Sequence, residues 1–298
     1  MKDPPVLRQV CKHPYSVMIS IPAVLVVGVA ACLTACSSVR PRGDAAGSAA
    51  LVPGDSSAPS QVTPTEALAI AQQYAQHSWR PFARNILHGP DPAGVVVQTP
   101  DASLQTPIER PGWWIPGEVN TGLPYKWGGF DEPSNFDRAI ANGLAAGDVS
   151  SPAKRRADSS GVSKHAAGVD CSGFVSRCLK LPRVHDTSEL PSVCSPLPSA
   201  QDLRPGDLLN IPRGHVLLCA GWARADRTWI YFYETGGGPN YWKPGLKEAP
   251  LDALLALGYQ PLRYRGMARE PGTSGKEVLT RGLRSRTLSV PEPTVGEP

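Results

Sequence analysis

Asp170-Cys171-Ser172-Gly173-Phe174-Val175-Ser176-Arg177-Cys178-Leu179-Lys180-Leu181-Pro182 turns the reading of this chain from loop to helix within two residues. Asp170 can accept from the unpaired amides of a first turn, Phe174, Val175, Cys178 and Leu179 fall on one helical face, and Pro182 ends the run. Downstream the pattern changes to short β-rich runs over 207–211, 215–222, 228–234 and 261–265. Pro212-Arg213-Gly214, Ala223-Arg224-Ala225-Asp226 and Gly236-Gly237-Gly238 supply turns among them. One helix ahead of several strands in hairpin order predicts an α+β domain, an antiparallel sheet packed on helices.

The same helix start carries the first candidate for chemistry. A thiolate is the nucleophilic form of cysteine, and at a helix N-terminus it is stabilised by free backbone amides and the helix dipole. Cys171 stands just inside the cap. His215 opens an apolar strand after Pro212-Arg213-Gly214, a place from which an imidazole can reach from sheet to helix. Cysteine on a helix start with histidine on a following strand is the arrangement that nucleophilic catalysis requires, the imidazole acting as base.

Four motifs occur in order: Pro124-Tyr125-Lys126-Trp127-Gly128-Gly129, Asp170-Cys171-Ser172-Gly173-Phe174-Val175, Leu203-Arg204-Pro205-Gly206-Asp207-Leu208 and Gly214-His215-Val216. Together the set resembles the NlpC/p-sixty family of cell-wall cysteine peptidases, over about Leu123 to Glu234. The resemblance implies a papain-like core over residues 123–268, the nucleophile at a helix N-terminus, cleavage of amide bonds in peptidoglycan stem peptides, and no metal or other cofactor. Carried over residue by residue, it makes Cys171 the nucleophile, His215 its base and Tyr125 the tyrosine beside the thiol. The Cys171 backbone N–H and the Tyr125 hydroxyl would then stabilise an oxyanion, with Asp170, Ser172 and Trp127 around the substrate. Loss of one oxyanion donor typically costs about 2.7 to 4 kcal/mol of barrier.

The chain departs from that family at the third polar residue, which orients the imidazole. The family usually places His there, sometimes Asn or Gln, whereas here Trp229-Ile230-Tyr231-Phe232-Tyr233 ends in Glu234. A carboxylate can accept the imidazole N–H and stabilise the imidazolium, so Glu234 is the candidate. The alternative is a glutamate facing solvent at the start of the Gly-rich turn. Asp207 reads as a turn residue. Lys126, Arg177 and Arg213 flank the motifs and are candidates for pairing with stem-peptide carboxylates, the alternative being ordinary surface charge. Two rival functions stand beside the endopeptidase: an amidase or acyltransferase using the same Cys and His on another bond, and a lipid-tethered binding module without activity.

Upstream, Thr63-Pro64-Thr65-Glu66 supplies a capping box and a Pro at the first helical position. Ala67, Ile70, Ala71 and Tyr74 continue it at helical spacing, and the helix is expected to end near Trp79, before Pro81. Residues 82–131 read as irregular backbone rich in aromatics, among them Trp113, Trp114, Tyr125 and Trp127. Such residues cover a core edge or line a cleft. The polar stretch 131–168 reads as an insertion with at most one short helix, around Phe136 to Leu144.

The N-terminal segment is a targeting signal. Lys2, Arg8 and Lys12 precede an apolar run from Val17 to Ala31, which at roughly 15 residues is short of the about 20 that span a bilayer. Leu33-Thr34-Ala35-Cys36 resembles the lipobox of bacterial lipoproteins, which implies removal of residues 1–35 and a diacylglycerol on Cys36. A plain secretory signal or an uncleaved anchor are the alternatives. Acyl chains in the plural hold a protein at a membrane where one does so marginally, and Ser37 implies the outer membrane, facing the periplasm, in a Gram-negative cell. Residues 36–62 read as a flexible tether and 269–298 as a disordered tail, both too poor in large apolar residues to fold. What lies between has the length of one domain, whose N-terminal part is 63–122.

Lys and Arg number 30 against 26 Asp and Glu, a net charge of +4. Lys154-Arg155-Arg156 is the single basic run, read as part of a polar loop, so no nucleic-acid partner is expected. Seven cysteines divide unevenly: Cys11 and Cys32 lie in the expected signal, Cys36 is the lipid site that the lipobox resemblance implies, and Cys171, Cys178, Cys194 and Cys219 remain. An exported domain permits disulfides, so Cys178 and Cys194 are either a pair or two buried thiols, while Cys219 reads as core.

Overall fold

The computed structural model describes residues 61–104, 110–236 and 242–270. The expected signal, Cys36, and nearly all of the expected tether and tail lie outside them. In chain order come α1 (Pro64–Gln76), β1 (Ser78–Trp79), β2 (His88–Pro90), β3 (Val96–Gln98) and β4 (Asn120–Thr121). Next are α2 (Pro133–Ala141), β5 (Ala145–Ala146), α3 (Pro152–Ala157), β6 (Ala166–Ala167), α4 (Cys171–Cys178), α5 (Leu190–Val193) and β7 (Cys194–Pro196). The strands β8 (Leu208–Ile211), β9 (His215–Trp222), β10 (Trp229–Glu234) and β11 (Gly245–Pro250) follow, then α6 (Leu251–Ala256) and β12 (Gln260–Tyr264).

The architecture is α+β. Six strands form the main sheet in the order β11-β10-β9-β8-β12-β7, and every neighbouring pair is antiparallel. Both faces of its centre are covered. Leu208, Val216 and Leu218 pack with Phe174, Val175 and Cys178 of α4 and with Ala67, Ala71 and Tyr74 of α1. Leu209, Leu217, Cys219, Ile230 and Phe232 pack on the other face with Leu251 and Leu254 of α6. Burial on two sides explains why Val216-Leu217-Leu218-Cys219 is apolar without alternation.

The four strands read from the sequence form within one residue of the expected bounds, but β7 and β11 were not legible. Each is an edge of the sheet. Edge strands tolerate proline and charge, and β11 contains Lys247, Glu248 and Pro250, so it lacks a central strand's apolar signature.

The capping box of α1 forms, Thr63 Oγ1 accepting from Glu66 N at 3.2 Å and Glu66 Oε2 from Thr63 N at 2.8 Å. The helix stops at Gln76 rather than near Trp79, because Ser78 and Trp79 pair with Thr121 and Asn120 as strand. The Trp79 indole donates to Gly122 O at 2.8 Å and packs edge-on to Trp113, Trp114 and Phe136, which a continuing helix would prevent. Val62, assigned to the tether by sequence, is fully buried and bridges to Met267.

Residues 131–168 hold two helices rather than at most one, and a parallel β5–β6 pair. Phe136, Ile140, Ala146 and Ala167 from this stretch join the main core. The run Lys154-Arg155-Arg156 is not loop but the last turn of α3, and the Lys154 ammonium is buried against Asp148 at 2.6 Å. Cys178 and Cys194 are free, buried thiols in the main core, so the disulfide alternative is corrected. Cys219 lies in the core as expected.

Candidate active site

The site begins with the cap of α4. Asp170 Oδ1 accepts from Gly173 N at 2.6 Å and from the Ser172 hydroxyl at 2.9 Å, while Oδ2 accepts from Gly128 N at 3.0 Å. One carboxylate therefore ties the first turn of the helix to the Tyr125–Gly129 segment. Two backbone bonds strengthen the seam: Lys126 N donates to Val169 O at 3.0 Å and Asp170 N to Gly129 O at 3.2 Å. The approach is so close that a Cβ on Gly173 would stand 1.9 Å from Gly129 O. Gly173 is explained by this contact, whereas a Cβ on Gly129 would stand 2.4 Å from Gly168 O and one on Gly128, at φ +66°, 2.5 Å from a Val162 methyl. Asp170 and Ser172, expected around the substrate, spend their polar atoms on the cap.

That cap places Cys171 at the first position of α4, 9% exposed. Across from it His215 opens β9, its side chain 22% exposed, and its Nε2 lies 2.8 Å from Glu234 Oε2 at the end of β10. Nε2 is thus occupied, which leaves Nδ1 as the nitrogen to serve the thiol. Burial alone would lower the imidazole. The charge and hydrogen bonding of Cys171, together with those of Glu234, outweigh it and raise His215 to about 10. Glu234 does not face solvent. It is 2% exposed and its second oxygen, Oε1, accepts from Lys247 on β11. Burial would raise its carboxyl, but His215 and Lys247 hold it below the ordinary glutamate value.

Tyr125 is close enough to Cys171 and Asp170 for their charge to act on its phenol. Burial, reinforced by negative charge at Cys171 and Asp170, pushes its phenol well above the usual value, so the hydroxyl stays protonated and able to donate; Ser150 is its side-chain partner. Gly236, at φ +100°, lies so close that a Cβ there would be 2.8 Å from the tyrosine ring. Trp242 packs edge-on against the same ring at 5.4 Å between centroids. Trp127 donates its indole N–H to Asp158 O at 3.3 Å and packs with Tyr125 and Trp242. Of the other aromatics, Trp114 is fully buried in the main core, a cover for the core edge rather than a cleft residue.

The flanking cations separate. Arg177 is committed to Phe130 O, to Glu132 at 3.0 Å and to the Phe130 ring, and Lys126 is 9% exposed with burial lowering its ammonium, so neither is ordinary free surface charge. Arg213 is exposed in the β8–β9 turn. Asp207 is a structural residue: it accepts from Arg204 N at 2.9 Å and takes a two-point ion pair from Arg263.

Lys247 and Tyr259 were not found by sequence reasoning. The Tyr259 ring stands edge-on to His215 at 6.5 Å, and burial, with negative charge at Glu234 and Cys171, raises its phenol. A β11 strand assignment would have given Lys247 away through register, but Tyr259 follows Gly258 in a turn and carries no pattern. Comparison of the chain with protein-family models, with curated proteins and with solved structures gives no match.

Proposed function

We propose that this chain is a cysteine hydrolase of papain-like, NlpC/p-sixty type, which cleaves amide bonds in peptidoglycan stem peptides from a lipid anchor on Cys36 at the outer membrane. One observation carries the reading: Cys171 at a capped helix start acts on His215, whose Nε2 is held by the buried carboxylate of Glu234. In this reading the Cys171 proton already rests on His215, and the thiolate Sγ bonds to the scissile carbonyl carbon. The tetrahedral oxyanion is met by the Cys171 backbone N–H and the Tyr125 hydroxyl. Its collapse breaks the C–N bond, and the amine leaves with the proton from His215. Water then adds to the thioester, giving one proton to His215, and the intermediate collapses to the carboxylic acid and the Cys171 thiolate. Glu234 stabilises the imidazolium through both halves, and Arg213 is the exposed cation left to meet substrate carboxylates.

Purified sacculi incubated with wild type and with Cys171→Ala, followed by product mass analysis, test the proposal. New amine and carboxyl ends within the stem peptide are expected from wild type alone. Release of whole peptides from the glycan would replace the endopeptidase with the amidase. Unchanged sacculi would leave the lipid-tethered binding module in its place.

A further inference from the structure

Glu234 poses a problem that His215 does not solve. A carboxylate 2% exposed has left nearly all of its water behind, and the idealised cost of burying such an ion is repaid only when its remaining lone pairs are satisfied. His215 meets one oxygen. The other is met by Lys247, whose side chain is itself 7% exposed. The register shows how a lysine reaches that point. Glu234 stands opposite Gly245, and Phe232 opposite Lys247, so Lys247 lies diagonal to Glu234 on the same face of the sheet. Gly245, directly across, puts no side chain in its path.

We propose that Lys247 is a positioning residue of this site, which keeps the Glu234 carboxylate ionised and aimed at His215 and thereby sets the acid limit of Cys171 reactivity. This rests on Cys171 and His215 being the reacting pair. The groups acting on Glu234 come from three neighbours besides β11: His215 of β9, Tyr259 of the turn before β12, and, through His215, Cys171 of α4. His215 and Lys247 carry positive charge toward the carboxylate and lower it against the effect of burial. Tyr259 stays neutral. Without Lys247 the carboxylate takes up a proton at higher pH. The imidazolium then loses its counter-charge, and the thiolate that the imidazolium supports is lost with it.

The test is the pH dependence of Cys171 alkylation by iodoacetamide in the full mature chain, for wild type, Lys247→Met and Lys247→Arg. Lys247→Met should move the acid limb upward by about one pH unit, which is about tenfold slower alkylation at pH 5. Lys247→Arg should restore the wild-type limb, which a merely space-filling lysine would not require. Superimposable profiles of wild type and Lys247→Met overturn the proposal. Should Lys247→Met not fold, Glu234→Gln is compared with Glu234→Gln/Lys247→Met, in which no buried carboxylate is left unpaired. A residue that acts only through Glu234 adds nothing in that background, and a further shift overturns the idea. Alkylation needs no substrate, so inert sacculi would count against the peptidoglycan reading while this profile still decides the role of Lys247.

Discussion

His215 and Glu234 meet across two neighbouring strands, Nε2 to Oε2 at 2.8 Å, with the carboxylate almost sealed from water. The bond fixes which ring nitrogen serves the thiol and places a negative charge behind the imidazolium. Glu234→Gln keeps the shape and removes the charge. Under the proposed hydrolase function, turnover of muropeptides should fall at least about 10²-fold, or about 2.7 kcal/mol of barrier, with the circular dichroism spectrum unchanged. Undiminished turnover would remove Glu234 from the mechanism.

The raised histidine also makes stability depend on pH. His215 titrates at about 10 when folded, against about 6.5 for a free ring, so the folded protein holds this proton more tightly. That contribution is complete below about pH 6.5 and is lost as pH rises toward 10. The wild-type Tm should therefore fall between pH 6.5 and 10 by more than that of His215→Phe. Equal falls in the two proteins would contradict the assignment.

Burial separates the thiols. It raises Cys178 far above the usual range and pushes Cys194 and Cys219 up to about 12, so all three stay protonated at neutral pH. Iodoacetamide at pH 7 should label Cys171 first, and the other three should react only in denaturant, as peptide mass mapping would report. Electrophoretic mobility should be the same with and without reductant. A Cys178–Cys194 linked peptide is the result that this structure does not allow.

The helix seam predicts a contrast between two glycines. A Cβ at Gly173 would sit 1.9 Å from Gly129 O, whereas one at Gly245 would meet nothing within 4 Å. Gly173→Ala should cost about 3 kcal/mol or more through overpacking against rigid backbone, and Gly245→Ala within about 0.5 kcal/mol. Urea midpoints measure both, and similar values would mean that the seam can open without penalty.

Lys154 and Asp148 form a buried pair at 2.6 Å, and burial pushes the Asp148 carboxyl up to about 6 despite its partner. Lys154→Met removes the ion-pair partner of that carboxylate, leaving Gln98 N and the charge of Lys126, and should cost about 3 kcal/mol. Asp148→Leu/Lys154→Met removes both charges and should be less destabilised than the single variant. Denaturant unfolding decides it; a double variant as weak as the single one would mean that packing, not charge, governs the site.

Local chemistry was written in the sequence. Thr63 and Asp170 announce helix starts because capping depends on residues within one turn, and the central strands announce themselves because two buried faces demand apolar side chains. Cys171 and His215 were legible as well, through motif and position, and so was Glu234 as the residue that ends β10. The disulfide question, the fate of residues 131–168 and the partners of the charges were not legible, since each depends on what distant segments bring alongside. Only the tertiary structure put Lys247 diagonal to Glu234 and Tyr259 against His215. Sheet register and edge pairing are long-range relationships, and no window of sequence contains both of their sides.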